Sequence, residues 1–277
     1  MNIGLRMHDA APGTIEERAQ AIRAQGFTCV HLALGKVISP QLTAPAAATP
    51  GVAASVKRAL GDLDVAVLGC YLNLTHPDDS VYRETLKKYK AHLQLARWMN
   101  AGVVGTETGN PNAEYKYDLL RSHTPEALEM FIRRVAPVVE CAERFGVTLA
   151  IEPVYEHIVT DGKAARKVLD VIQSDNLKII LDPVNLLHPD NFHRRNEVVA
   201  EAIDLLGEET MVVHMKDYIP GGPRYTPCAC GLGVMDYTRV LRFVKERKPY
   251  VQMTLEDTKP DNAEAARLHL EALAAQL

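Results

Sequence analysis

The chain has 277 residues, carries 31 basic against 35 acidic side chains for a net charge of −4, and takes 47% of its residues from hydrophobic types. That length has room for one large core. The balanced charge, without a basic block or a basic–aromatic run, argues against nucleic acid as a partner. No apolar run approaches membrane-spanning length, which argues against a membrane protein. The opening MNIGLRMHD lacks the apolar stretch of a secretory leader. Five scattered cysteines (Cys29, Cys70, Cys141, Cys228, Cys230) contain no CxxC pair. Together these features predict a cytoplasmic protein with reduced thiols. Cys228 and Cys230 form a CxC in a Gly/Pro-rich loop and read as incidental thiols.

In chain order, eight short segments read as strands: 2–7, 28–34, 64–72, 103–107, 147–152, 177–182, 210–215 and 250–256. Those of the second half are rich in Val, Ile and Leu, as buried parallel strands are. Helical patterns alternate with the strands, at 14–25, 51–61, 81–99, 126–144, 162–173, 194–206, 236–247 and 261–276. In 81–99, Tyr82, Leu86, Tyr89, Leu93 and Ala96 share one face; in 126–144, Leu128, Phe131, Ile132, Val135, Val138 and Val139 do so. Pro125 suits the first turn of the latter helix and Gly146 its C-terminal cap.

From His8 to Glu256 there are seven βα steps in 248 residues, about 35 residues each. Regular alternation predicts a parallel sheet, and eight units favour closure into a single-domain α/β fold, a (β/α)8 TIM barrel over residues 1–277. The competing open doubly wound sheet usually begins with a glycine fingerprint. The first βα turn here, RMHDAAPGT, lacks it. Helix-to-strand links are tight (AQGF, NAGV, RFGV, SDNL), whereas strand-to-helix links at 35–50, 108–124 and 216–235 are long. Long loops at the carboxyl ends of strands are where barrel enzymes build their sites. The stretch QLTAPAAATP is expected to wrap or lid that mouth.

Four of the last strands end on residues able to hold a divalent metal: Glu152 in LAIEP, Asp182 in IILDP, His214 in VVHMKD and Glu256 in MTLED, spaced by 30, 32 and 42 residues. Each alone reads equally well as a cap or an ion-paired strand end. As neighbours around one barrel mouth, such carboxylates repel one another unless a cation neutralises them. Two Glu, one Asp and one His make a mixed O/N set suited to one divalent ion: Mn²⁺ first, with Mg²⁺, Co²⁺ or Zn²⁺ as alternatives. On the same rim His8, Asn73, His76, Glu107, Asn185, His188 and Lys216 are candidate contacts to a polyhydroxylated ligand. His31 in CVHLAL and His157 are weaker candidates. Gly231 and Gly233 in CGLGVMD read as turn residues rather than a phosphate cradle.

IEP, LDPVN, HMKD and LED, with HPD after the third strand, resemble the xylose isomerase-like TIM barrels, the sugar phosphate isomerases/epimerases and their kin. The likeness spans nearly the whole chain. It implies that Glu152, Asp182, His214 and Glu256 bind one metal, and that Glu152 and Glu256 are also the acid–base pair. The implied activity is isomerisation or epimerisation of a sugar or sugar phosphate, by proton transfer next to a carbonyl through an enediolate. The same intermediate could expel a β-hydroxyl, which makes an inosose-type dehydratase the alternative. The endonuclease IV-like relatives carry a His where Asn185 stands and further metal ligands where this chain reads GGPRYTPCACGLG. The ketose 3-epimerases likewise tend to have that His, and an arginine where this chain runs from Tyr218 to Pro220. These departures count against DNA repair and against simple ketose C3 epimerisation. A non-catalytic sugar-binding barrel is the reading from another class, and relatives suggest a homodimer or homotetramer.

Overall fold

The structure, a computed structural model, describes residues 1–222 and 224–277. Its parallel barrel strands are β1 (Asn2–Arg6), β2 (Cys29–Leu32), β3 (Asp64–Gly69), β4 (Val103–Glu107), β5 (Leu149–Glu152), β6 (Leu177–Leu181) and β7 (Thr210–Met215). A two-stranded hairpin follows, β8 (Asp217–Ile219) and β9 (Thr226–Cys228), and β10 (Gln252–Leu255) completes the barrel. The order β1-β10-β7-β6-β5-β4-β3-β2 is closed, with Asn2 opposite Gln252 and Leu5 opposite Leu255. The barrel therefore has no free edge. Every barrel strand lies within a segment expected from the sequence.

The barrel is ringed by α1 (Ile15–Ala24), α3 (Pro50–Leu60), α4 (Asp79–Met99), α6 (Pro125–Phe145), α7 (Gly162–Ile172), α8 (Arg195–Leu206), α9 (Thr238–Arg247) and α10 (Ala263–Ala275). Their boundaries follow from capping chemistry. Thr14 and Glu17 form a capping box, and the side chains of Thr49, Thr124 and Asp161 each accept an N–H bond from the first helical turn. Pro125 opens α6, and Gly146 closes it in the left-handed region at φ 62°. No helix among the described residues is long and apolar enough to cross a membrane.

Strand alternation sends residues to two destinations. Outward side chains such as Ile3, Leu5, Val30, Leu32, Leu149, Ile151, Ile179, Leu181, Val213 and Leu255 join the main core beneath the helices. Cys29, Val67, Val103, Ala150, Ile180 and Val212 cluster separately, on the opposite strand parity. Two residues further toward the carboxyl ends of β2, β5, β6 and β7, that parity reaches His31, Glu152, Asp182 and His214. The polar mouth is thus the top layer of the barrel interior. Gly105 belongs to the same parity. A Cβ there would come within 2.6 Å of Val67 Cγ1 and 2.8 Å of Ile180 Cδ1. Gly105→Ala should overpack the interior and cost roughly 1–3 kcal/mol. The check is a lower urea midpoint with unchanged slope; an unchanged midpoint would refute the tight interior.

The long βα loops are more ordered than the sequence suggested. QLTAPAAATP folds as two 3-10 turns, Pro40–Thr43 and Pro45–Ala47, after the short helix α2 (Leu34–Val37). A further short helix, α5 (Leu119–Ser122), lies in the loop after β4. The stretch expected to be a plain loop at 216–235 contains the β8–β9 hairpin. Buried Asp217 organises it by accepting N–H bonds from Tyr218 (2.8 Å), Met235 (2.8 Å) and Gly231 (3.1 Å). Gly231 is in the left-handed region at φ 86°. Gly233 packs directly against Asp217 and the Tyr218 carbonyl, where a side chain has no space.

Candidate active site

The four strand-end residues converge. His214 Nδ1 lies 3.3 Å from Glu152 Oε2 and 3.4 Å from Glu256 Oε1, so this imidazole bridges carboxylates from β5 and the end of β10. Glu152, Asp182 and His214 offer ligand atoms within 4.8 Å of one another. So do His31, His214 and Glu256. Glu152, Asp182, His214 and Glu256 are all buried. The Asp182 carboxylate also accepts the backbone N–H groups of Val184 (2.9 Å) and Asn185 (3.0 Å), which turns the DPVN segment back over the mouth.

Lys216 enters this acidic cluster. Its Nζ lies 2.8 Å from Asp182 Oδ2, at ion-pair distance although not aligned as a hydrogen bond, and 3.3 Å from Glu256 Oε2. Arg6 adds a second cation, 3.4 Å from Glu256 Oε2 and 2.9 Å from Asp257 Oδ1. Burial alone would raise Glu256, but His214, Lys216 and Arg6 outweigh it and hold that carboxyl well below the usual carboxylate range. Glu152 is lowered against the pull of burial by His214. Asp182, wholly enclosed, is pushed up to about 6 by burial even beside Lys216. His214 is raised to about 9 because Glu256 and Glu152 overcome burial. Burial and then the Glu152 charge push Glu107 up to about 7.

A cavity of about 290 Å³ opens beside the cluster, with Arg6, His8, His31, Glu152 and Glu256 in its wall. A neighbouring cavity of about 260 Å³ contains His188, Tyr117 and Arg224. Glu107, Asn185 and Lys216 line both. Asn185 Nδ2 donates to Glu152 Oε1 at 2.6 Å, so it orients that carboxylate. His188 lies in the second wall, stacked on Tyr155 at 4.5 Å, with Nδ1 3.1 Å from Asp190. His8 is lowered to about 3 by burial and Lys36, so its ring is neutral. Asn73 and His76 are not brought to either cavity. Asn73 instead donates to the carbonyls of Asn110 (2.8 Å) and Asn112 (3.1 Å), tying two βα loops together. His76 Nδ1 accepts from Asp78 N at 3.0 Å, and its carbonyl accepts from Arg134. His157 is buried behind Glu107, 3.8 Å away.

Several site residues escaped the sequence reading or were undervalued in it. His31 stacks between His214 (5.3 Å) and Tyr71 (5.4 Å), with Nδ1 3.5 Å from Glu256 Oε1. Beside it the β2–β3 register shifts: Val30 pairs with Val65 and His31 with Val67, which leaves Ala66 as an extra residue in β3. The hydroxyl of Tyr71 donates to Glu152 Oε2 at 3.4 Å. Counting in twos from Gly4, Cys29 and Gly69 reaches Arg6, His31 and Tyr71, so strand parity was the signal that could have found them. Arg224 carried no such signal. It comes from farther along the strand-seven loop than the Tyr218–Pro220 stretch. It pairs with Glu156 and lies 3.8 Å over the Tyr117 ring, joining the loops after β4, β5 and β7.

The donor set fits a divalent cation. Both nitrogens of buried His214 and Oδ2 of Asp182 have no hydrogen-bond partner among the described residues. Three carboxylates face them, and hard oxygen donors with one imidazole suit Mn²⁺, Mg²⁺ or Zn²⁺. A ligating imidazole is neutral, so filling the site would release the His214 proton and the affinity would fall with acidification. The thiols stand apart: all five cysteines are free, and burial pushes Cys230 up to about 12.

No curated protein matches this chain in sequence. Among solved structures it is similar to a D-tagatose 3-epimerase-like protein, with TM-score 0.77 and 16% identity over 100% of this chain and 98% of the other. It is similar to 3-keto-D-glucoside 4-epimerase from E. coli, with TM-score 0.75 and 16% identity over 98% and 99%. It also resembles the IOLI protein with a bound zinc atom, with TM-score 0.74 and 13% identity over 100% and 97%. At such identities the likeness establishes the shared fold. The model of the family described as xylose isomerase-like TIM barrel matches residues 19–276. The chain belongs to the xylose isomerase-like TIM-barrel family.

Proposed function

We propose that this protein is a divalent-metal-dependent sugar epimerase or isomerase, moving a proton at the carbon next to a carbonyl. The observation that carries the reading is the pair Glu152 and Glu256 meeting at His214, 3.3 and 3.4 Å from the same nitrogen. Two acid–base groups converging on one polar cavity suit removal of a proton on one side of a carbon and its return on the other. The epimerases among the similar structures support the same class of reaction. The metal ligands are Glu152, Asp182, His214 and Glu256. A divalent ion held there would supply Lewis-acid stabilisation of the oxyanion that develops as the proton leaves, worth several kcal/mol.

The chain's own groups divide the remaining work. Asn185 clamps Glu152 Oε1 and leaves Oε2 directed toward Tyr71 and His214. Glu256 is steadied by Arg6 and Lys216 on Oε2, with Oε1 turned to the two histidines. Lys216 and Glu107 line both cavities, and in this reading they bind substrate oxygens. His188 and Arg224 border the distal end.

Protein stripped of metal and reloaded with Mn²⁺ should exchange solvent deuterium into ketohexoses or 3-keto-glucosides at the carbon beside the carbonyl, read by proton NMR. Stripped protein should not. An unsaturated product with loss of water would assign a dehydratase instead. No metal-dependent exchange across the panel, with the sugar still bound, would leave a binding barrel.

A further inference from the structure

A third cavity, of about 190 Å³, opens on the outside of the barrel between α8 and α9. Arg195, Arg239 and Arg242 line it, and none forms an ion pair among the described residues. Arg195 is occupied only by the Phe192 carbonyl at 3.4 Å and by the Phe192 ring at 4.6 Å. The single carboxylate in the wall, Asp236, is engaged by the backbone N–H of Thr238 at 3.0 Å, where α9 begins. Arg195 is half-buried and Arg239 and Arg242 are exposed, so the wall carries three cations against the one carboxylate.

Tyr218 supplies an independent observation. Its side chain is fully buried, it forms part of the cavity wall, and its hydroxyl has no hydrogen-bond partner among the described residues. Burial raises that hydroxyl and the Arg195 charge opposes the rise. An enclosed hydroxyl without a partner is costly unless something fills the role. The cavity wall thus carries three arginines and a tyrosine hydroxyl against one carboxylate, Asp236, whose Oδ1 is already engaged. Guanidinium forks match the oxygens of a phosphate. The volume exceeds that of a bare oxyanion, and Leu187 and Met235 give one wall an apolar surface.

We propose that this cavity binds the phosphate group of a small phosphorylated organic molecule, at a site separate from the barrel mouth. Arg195, Arg239 and Arg242 hold the phosphate oxygens, the Tyr218 hydroxyl donates from the floor, and the organic group lies against Met235. Tyr218 and Leu187 also wall the cavity containing Arg224, and β8 begins one residue after Lys216. The occupied site therefore braces the hairpin next to the mouth.

The test is calorimetric titration of full-length protein, cleared of divalent ions with EDTA, with phenyl phosphate, inorganic phosphate and benzoate at fixed ionic strength. Saturable one-site binding of both phosphates is expected, tighter for phenyl phosphate and at least about 10-fold weaker for benzoate. Arg239→Ala with Arg242→Ala, both on the surface, should weaken phosphate binding at least about 10-fold, and Tyr218→Phe should weaken it several-fold with the Tm of the unliganded protein equal or higher. Arg224→Ala should leave it intact. Absence of saturable binding, binding retained by the double variant, or binding lost in Arg224→Ala would each overturn the proposal.

Discussion

Changing Glu152 or Glu256 to glutamine should lower metal-dependent deuterium exchange by roughly 10³-fold or more, within the range set by a positioned acid or base. Glutamine preserves shape and can still accept from Asn185 at the Glu152 position, but it neither carries nor releases the proton. Both residues are buried at the convergence on His214, so water cannot readily take their place. The two variants should also differ. Glu256 balances Lys216 and Arg6, so its neutralisation leaves two cations with less compensation. Glu152 shares His214 with Glu256 but is otherwise steadied by an amide and a phenol, so its neutralisation should perturb stability less. Exchange rates, metal titrations and thermal midpoints separate lost chemistry from lost fold. If both variants retain exchange, the acid–base assignment fails. If one retains exchange but no longer inverts the carbon, the proton is removed by the other glutamate.

Lys216→Met should be the most destabilising change near the site in metal-free protein, and the one most fully repaired by metal. The ammonium is buried, 2.8 Å from Asp182 and 3.3 Å from Glu256, and methionine occupies similar space without charge. Burial would strip its proton, but Asp182, Glu256 and Glu152 keep it charged and raise it further. Removing one partner of such a buried pair typically costs about 3–5 kcal/mol, because the remaining charges are left uncompensated. A divalent ion supplies that compensation. Added Mn²⁺ should therefore raise the midpoint of the variant more than that of the parent, and the variant should bind Mn²⁺ more tightly. Activity should still fall, since Lys216 lines both mouth cavities. Equal metal-free stability of variant and parent would show that Lys216 is not the counter-ion of this cluster.

The legible part of the site was the part written into strands. Glu152, Asp182, His214 and Glu256 each end an apolar run, so parity and topology together bring them to one mouth. Asn185 was legible by its position in DPVN, although not as the residue that clamps Glu152. Asn73 and His76 share the same rim composition, yet their polar atoms satisfy loop backbone, a choice that no local pattern encodes. Arg6, His31 and Tyr71 obey strand parity, but each sits beside apolar neighbours that offer no motif. Arg224 reaches the mouth because Asp217 folds the long strand-seven loop into a hairpin, and that depends on three backbone partners up to 18 residues away.

By itself the sequence determined the barrel, its strand and helix positions and the four-residue convergence. These follow from local periodicity, capping residues and the rule that parallel strands closed into a ring share one functional end. Only the tertiary structure decided that Lys216 and Arg6 enter the acidic cluster, that His31 stacks on His214, and that three arginines line one cavity with buried Tyr218. Those are contacts between segments distant in sequence. They are selected by which charges must be neutralised and which polar atoms satisfied once water is excluded, and that selection exists only in the folded chain.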